Sequence, residues 1–318
     1  MGRAGSSGAA SGVGVSRWRE VRSWYRRRAL ASWWSWRAAH GREALVGDSP
    51  VVVCMTTHGQ RLARAHISLE SIGAGRVKPG RLILWVNEPP DNGPRFAALR
   101  RMQARGLELR LAPNFGPHTK YYPYVAEATA HHRPLATADD DVIYPQDWLE
   151  LLLQGHRDRA DLVHCHWARR LSFDRGALLP YLKWPDVQTT QPSPLHFALG
   201  VAGVIYPPAL LDRLRATGAA FRECCPRADD VWLHASAWRA GIAVRQVRRQ
   251  HLHPPMVPGT EASGLWHENH LPGGNDLQLL ATYSTAELDT LSRAGEGLAG
   301  FRPDAPPAAA GQPAHRGR

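Results

Sequence analysis

Apolar positions in the central part of the chain alternate between short continuous runs and helical repeats. Pro50 to Met55 is an apolar run that ends in Thr56, Thr57, His58 and Gly59, which predicts a buried strand with a ligand-facing end. Leu62, Ala65, His66, Leu69 and Ile72 then recur at helical spacing, so Arg61 to Ile72 is expected to be a helix packed back on the sheet. Arg81 to Val86 reads as a second strand stopping at Asn87, Phe96 to Arg105 as a helix, and Leu107 to Leu111 as a third strand. Strand, helix, strand, helix, strand is the pattern of a mostly parallel sheet with crossover helices. Ligands of such sheets bind outside the carboxyl ends of the strands.

The weakly apolar run Leu135 to Ala138 ends at that edge in Asp139, Asp140 and Asp141. Adjacent carboxylates repel one another, and a hard divalent cation relieves the repulsion, so a metal site is expected. A solvated acidic turn is the plainer alternative, but the apolar segment Val142, Ile143, Tyr144, Trp148 and Leu149 resumes at once. A second acidic pair, Asp229 and Asp230, opens a helical pattern through Val231, Trp232, Leu233, Ala235 and Trp238. Capping explains one of these acids and leaves the other free for chemistry. The loop Asn114 to Lys120 holds Gly116, Pro117, Thr119 and Lys120, a turn able to bring an ammonium group and backbone donors toward a diphosphate. It is not a Walker loop, and no G-x-G-x-x-G follows the first strand.

Composition adds bounds. The chain has 318 residues, 43% of them hydrophobic, and no apolar run of membrane-spanning length. Much of its formal charge of +11 belongs to the termini, since residues 1–48 hold nine Arg and three acids. A polyanion groove needs basic residues clustered on the folded body, so nucleic acid is not an expected partner. Four cysteines without zinc spacing read as reduced thiols in a cytoplasmic compartment.

Three regions follow. Residues 1–48 form a flexible, basic, Trp-rich arm whose first sixteen residues are expected to be disordered. From Arg17 to His40 a helix is expected, with Trp18, Val21, Tyr25, Leu30, Trp33 and Trp34 roughly on one side. Basic helices bearing Trp lie in the headgroup layer of anionic membranes, which predicts peripheral attachment at the inner face of the cell membrane; packing on the body is the alternative. Residues 49–292 form one α/β domain, with 49–145 as the nucleotide-binding half and 146–292 as the acceptor half. A short helix from Ser284 to Leu291 precedes a Pro- and Ala-rich tail, 293–318, expected to be disordered.

Several segments, among them VVVCMTTHGQRLARAHISLESI (51–72), GLELRLAPNFGPHTKYYPYV (106–125), PLATADDDVIYPQDWLELLL (134–153) and PRADDVWLHASAWRAG (226–241), resemble GT-A glycosyltransferases of a bacterial, family-2-like branch. Exostosin-like transferases share the order of the two acidic motifs. The resemblance runs from about Val51 to Leu280 and implies a Rossmann-like sheet flanked by helices. It also implies a metal-dependent enzyme that moves a sugar from a nucleotide-diphosphate donor, a UDP-sugar by resemblance alone, to a hydroxyl of a glycan or lipid-linked acceptor. On this reading Asp139 and Asp141 hold Mn²⁺ or Mg²⁺, with His267 completing the metal shell. Thr56, Thr57, Arg61, Asn87, Lys120, Asp139 and Asp140 form the donor shell, and Asp140 is also expected to turn back into the fold as an acceptor. Asp230 is the expected catalytic base and Asp229 a cap or acceptor ligand. Gly200 and Gly203 are expected to let a sugar approach the backbone, and Trp167, Trp184 and Trp232 to offer stacking faces or core. A sugar nucleotidyltransferase and an inactive nucleotide-sugar binding protein are the alternatives.

Overall fold

A computed structural model of the chain describes residues 10–260 and 274–296. Its centre is a seven-stranded sheet. Val52–Thr57 (β1), Arg81–Val86 (β2), Leu107–Leu111 (β3) and Leu135–Ala138 (β4) come first. Val163–Cys165 (β5) follows, then three short strands Ala168–Arg170 (β6), Phe173–Asp174 (β7) and Ala177–Leu178 (β8). His196–Ala198 (β9), Val204–Tyr206 (β10) and Val244–Gln246 (β11) complete the set. The order across the sheet is β3-β2-β1-β4-β10-β5-β11. Within this sheet every pairing is parallel except those of β10, which runs antiparallel between β4 and β5, while β6 with β9 and β7 with β8 form two separate antiparallel pairs. The expected α/β class, a mostly parallel sheet flanked by helices, is the observed one.

Period-two alternation divides the core between the two faces. Val52, Cys54, Ile83 and Trp85 pack with Leu135, Val204 and Tyr206 on one face, while Val53, Met55, Leu82, Leu84 and Ala136 pack with Leu149 and Leu152 on the other. Ala65–Gly73 (α2) and Ala97–Gln103 (α3) supply crossovers, and Tyr122–Glu127 (α4) and Trp148–Asp158 (α5) flank β4 in sequence. Pro208–Thr217 (α6), Phe221–Cys224 (α7) and Asp229–Arg239 (α8) lead into β11. The helix expected from Arg61 starts later, because Gly59 adopts φ 55° and the chain makes a 3-10 turn over Gly59–Ala63 first.

The amino-terminal helix Ala10–His40 (α1) is longer than expected. It includes positions 10–16, which the Gly- and Ser-rich composition marked as disordered. Elongation of an existing helix costs far less than nucleation, and the nucleus here is its packed end. Ala31, Trp34 and Ala38 are buried, with Ala31 and Trp34 clustered with Ile67, Ile143 and Val257. Arg37 reaches Glu70 of α2 at 3.3 Å, and Arg105 closes on the same fully buried carboxylate at 2.8 and 3.0 Å. The last described helix, Thr285–Glu296, runs past its expected end at Leu291. It opens on a reciprocal cap in which Ser284 N–H donates to Glu287 Oε2 at 2.8 Å and Glu287 N–H donates to Ser284 Oγ at 3.3 Å.

Candidate functional site

Strands β1 and β4 pair in register until Met55 faces Ala138, so Thr57 and the turn beyond it leave the sheet beside the three aspartates. Thr57 Oγ1 donates to Asp140 Oδ2 at 2.6 Å, and Arg61 Nη1 donates to Asp140 Oδ1 at 2.8 Å. Arg61 Nη2 lies 2.7 Å from Asp141 Oδ2, so one guanidinium spans both carboxylates. Asp140 is buried among these partners and faces inward. Asp141 carbonyl accepts from Val257 N–H at 2.7 Å, and Asp139 N–H donates to Tyr144 Oη at 2.8 Å, which fixes the acidic turn at both ends.

Lys120 supplies the second cation. Gly116, at φ 61°, turns the loop and donates its N–H to Asn114 Oδ1 at 2.8 Å, while Phe115 N–H donates to Thr119 Oγ1 at 2.9 Å. These backbone donors are therefore used inside the loop. The Lys120 side chain reaches Asp139 Oδ1 at 2.9 Å and Asp229 Oδ2 at 3.0 Å. Burial alone would lower its proton affinity, but Asp139, Asp229 and Asp230 raise it well above the ordinary value, so it stays an ammonium.

The second acidic pair arrives on the first turn of α8. Ala228 occupies the cap position without a side-chain bond, so neither acid is the cap that the sequence suggests. Asp230 instead accepts from Gly200 N–H with both oxygens, at 3.1 and 3.2 Å. Burial, then repulsion from Asp229, pushes its carboxyl up to about 8. Asp229 Oδ2 is buried beside Lys120 but has no hydrogen-bond donor in good geometry among the described residues. Its partner is the Lys120 ammonium, 3.0 Å away.

Two expectations change. Adjacent aspartates were expected to need a bound ion to coexist, whereas Arg61 and Lys120 already provide counter-charge from the protein. Gly200 and Gly203 were expected to admit a sugar, but a Cβ on Gly200 would stand 3.0 Å from Asp230 Oδ1 and 3.1 Å from Lys120 Nζ. At Gly203 it would stand 2.3 Å from Trp148 Nε1, so the protein's own side chains use both spaces. Trp184 and Trp232 are core, and the half-buried Trp167 stacks on His251 with centroids 4.7 Å apart.

Of the expected donor shell, Thr57, Arg61 and Asp140 form one bonded group that Arg61 extends to Asp141, and Lys120 with Asp139 forms a second at the same acidic turn. Thr56 turns its hydroxyl to the Trp85 carbonyl at 3.2 Å, and Asn87 is exposed beyond the end of β2. His267 lies outside the described residues. Among those residues no three His, Cys, Asp or Glu side chains form a ready-made metal cage. The donor set nevertheless fits a hard divalent ion. Five aspartates around two cations leave surplus negative charge, and burial, followed by repulsion from Asp139 and Asp140, pushes Asp141 up to about 7.

His118 escaped the sequence reading. Its Nε2 contacts the Cys225 carbonyl and its Nδ1 the Tyr121 hydroxyl, both at 2.8 Å, so Nε2–H donates and Nδ1 accepts. The ring stacks on Phe221 at 3.9 Å and ties the Lys120 loop to the segment before α8. Its place two residues before Lys120 was the available signal. Beneath Asp230, a small cavity lined by Tyr206, Leu233, His234 and Val244 has room for roughly one water molecule. It is not a sugar pocket.

No protein-family model and no curated protein matches the sequence. Among solved structures, a mannosyltransferase from Pyrobaculum calidifontis in complex with GDP-Man and Mn²⁺ is 17% identical, covers 89% of this chain and 87% of its own, and gives a TM-score of 0.43. S. aureus TarS is 13% identical at TM-score 0.44, over 63% of this chain and 58% of that one. CMP:2-keto-3-deoxy-manno-octonic acid synthetase complexed with CTP is 14% identical at TM-score 0.39, over 62% of this chain and 89% of that one. Similarity at this level assigns neither substrate nor metal to the chain.

Proposed function

We propose that the protein is a glycosyltransferase that moves a sugar from a nucleotide-diphosphate donor to a hydroxyl of a glycan or lipid-linked acceptor. One observation carries the reading. Lys120 joins Asp139, at the end of a central strand, to Asp229, at the start of α8, so the two acidic motifs form a single charged site. Asp139 and Asp141 would hold Mn²⁺ or Mg²⁺, and such an ion supplies charge neutralisation for a departing diphosphate. Lys120 adds positive charge on the same side. Thr57 and Arg61 orient Asp140 and, through the shared guanidinium, Asp141.

On the acceptor side Asp229, ion-paired with Lys120, would receive the acceptor hydroxyl. Asp230, held by Gly200 N–H and with raised proton affinity, would take the proton as general base. A UDP-sugar donor follows from the sequence resemblance alone. The test is a panel of UDP- and GDP-sugars incubated with the protein, an acceptor mixture and Mn²⁺. Release of nucleoside diphosphate is the expected outcome. Pyrophosphate formation from a nucleoside triphosphate and a sugar phosphate would replace the proposal with nucleotidyl transfer, and donor binding without any release would replace it with a binding protein.

A further inference from the structure

Helix α1 carries two apolar faces rather than one. The first is spent on the protein through Ala31, Trp34 and Ala38. On the opposite side Tyr25, Trp33 and Trp36 are 63%, 51% and 54% exposed, and their spacing places them on one stripe of the helix. Trp33 and Trp36 stack with centroids 5.3 Å apart, and His40 extends the stack at 5.2 Å. Trp24 is exposed as well, with the Arg28 guanidinium 4.5 Å from its centroid. Scattered surface hydrophobics need no explanation, but a stacked indole pair with a further exposed tyrosine on the same side of a helix does.

The charge around these rings names their partner. Between Ala10 and His40 the sequence has seven Arg and one Glu, and Arg22, Arg26 and Arg28 are exposed. A soluble polyanion would engage the guanidinium groups and leave the rings in water. A bilayer with anionic headgroups satisfies both, since indole rings settle at the acyl–headgroup boundary while arginines reach phosphate. No described helix is long and apolar enough to cross a membrane, so α1 would lie on the surface. We propose that the Tyr25–Trp33–Trp36 face of α1 docks on an anionic lipid bilayer.

Docking also orients the body. Ser35 contacts His66 and Arg37 contacts Glu70, so α1 and α2 run side by side in the same direction. The part of α1 before Ala31 therefore extends past the start of α2, toward the sheet edge that carries Asp139 to Asp141. Ile143 and Val257, which flank that acidic turn, pack in the same cluster as Ala31 and Trp34.

The test uses the full chain with vesicles of phosphatidylcholine and phosphatidylglycerol at roughly 7:3, and vesicles of phosphatidylcholine alone. The expected result is sedimentation with the anionic vesicles only, with a blue shift of Trp emission. Trp33→Ser/Trp36→Ser removes two outward rings, and its melting curve reports whether the fold is kept. It should lower vesicle partitioning about tenfold or more. Arg26→Gln/Arg28→Gln should weaken binding to anionic vesicles at low salt. Equal sedimentation of wild type and the Trp variant would overturn the proposal. So would absence of binding, or self-association of the free protein that buries the same rings and leaves vesicles unbound.

Discussion

Lys120 Nζ stands 3.0 Å from Asp229 Oδ2, and the same ammonium reaches Asp139 at 2.9 Å, so one buried cation holds two acids that arrive from different elements. Lys120→Met would leave those carboxylates facing each other without counter-charge. Breaking a buried pair from one side costs about 3–5 kcal/mol, and urea unfolding should show a loss of that order. Added Mn²⁺ should restore part of it. A variant as stable as wild type would show that the pair contributes little.

The two acids of α8 are expected to fail in different ways. Asp230→Asn should lower kcat by about 100-fold or more while nucleotide-sugar binding persists, because a general base contributes about that much. Asp229→Asn should act mainly on the acceptor KM, since it removes charge from the group proposed to hold the hydroxyl. Steady-state kinetics on both variants measure this split, and an exchange of the two patterns would reverse the roles.

Glu70 ties α1, α2 and the end of α3 together through Arg37 and Arg105. Glu70→Ala would strand the buried Arg105 guanidinium. The expected loss is about 3–5 kcal/mol in chemical denaturation. A loss below about 1 kcal/mol would mean that the Arg105 cluster reorganises at little cost.

Acid should unfold the protein through its histidines. Burial pushes His118, His164, His166, His196 and His234 down to about 4 from an ordinary value of 6.5. The unfolded chain binds those protons first, so the stability they confer is complete above pH 6.5 and is lost as the pH falls toward 4. Asp140, Asp141 and Asp230 are raised and work in the opposite sense, but they are outnumbered. Melting temperature should therefore fall between pH 6.5 and 4.5 with net proton uptake on unfolding, and a flat profile would contradict the assignment.

Much of this site was legible because strand ends leave local marks. Arg81–Val86 and Leu107–Leu111 form at their expected bounds, since each is a short β-rich run flanked by glycine or polar residues. The edge position of Asp139 to Asp141 follows from the same logic. What escaped depends on partners distant in sequence. Nothing near Arg61 says that its guanidinium will close on Asp140 and Asp141, and nothing near Gly200 says that Asp230 will fill the space above it. Helix α1 misled for another reason. Trp33 and Trp34 are adjacent and look alike, yet one faces out and the other is buried, so the helix has two apolar sides where its spacing predicts one.

Asp139 and Asp141 are proposed to capture a divalent ion together with a nucleoside diphosphate. Electron paramagnetic resonance of Mn²⁺ titrated into the full-length protein with UDP or GDP tests it without requiring the acceptor. One Mn²⁺ bound per chain in the presence of nucleotide, and loss of that binding in Asp141→Asn and in Asp139→Asn, is the predicted result. Mn²⁺ that stays free in solution, or binds both variants as tightly as wild type, would contradict it.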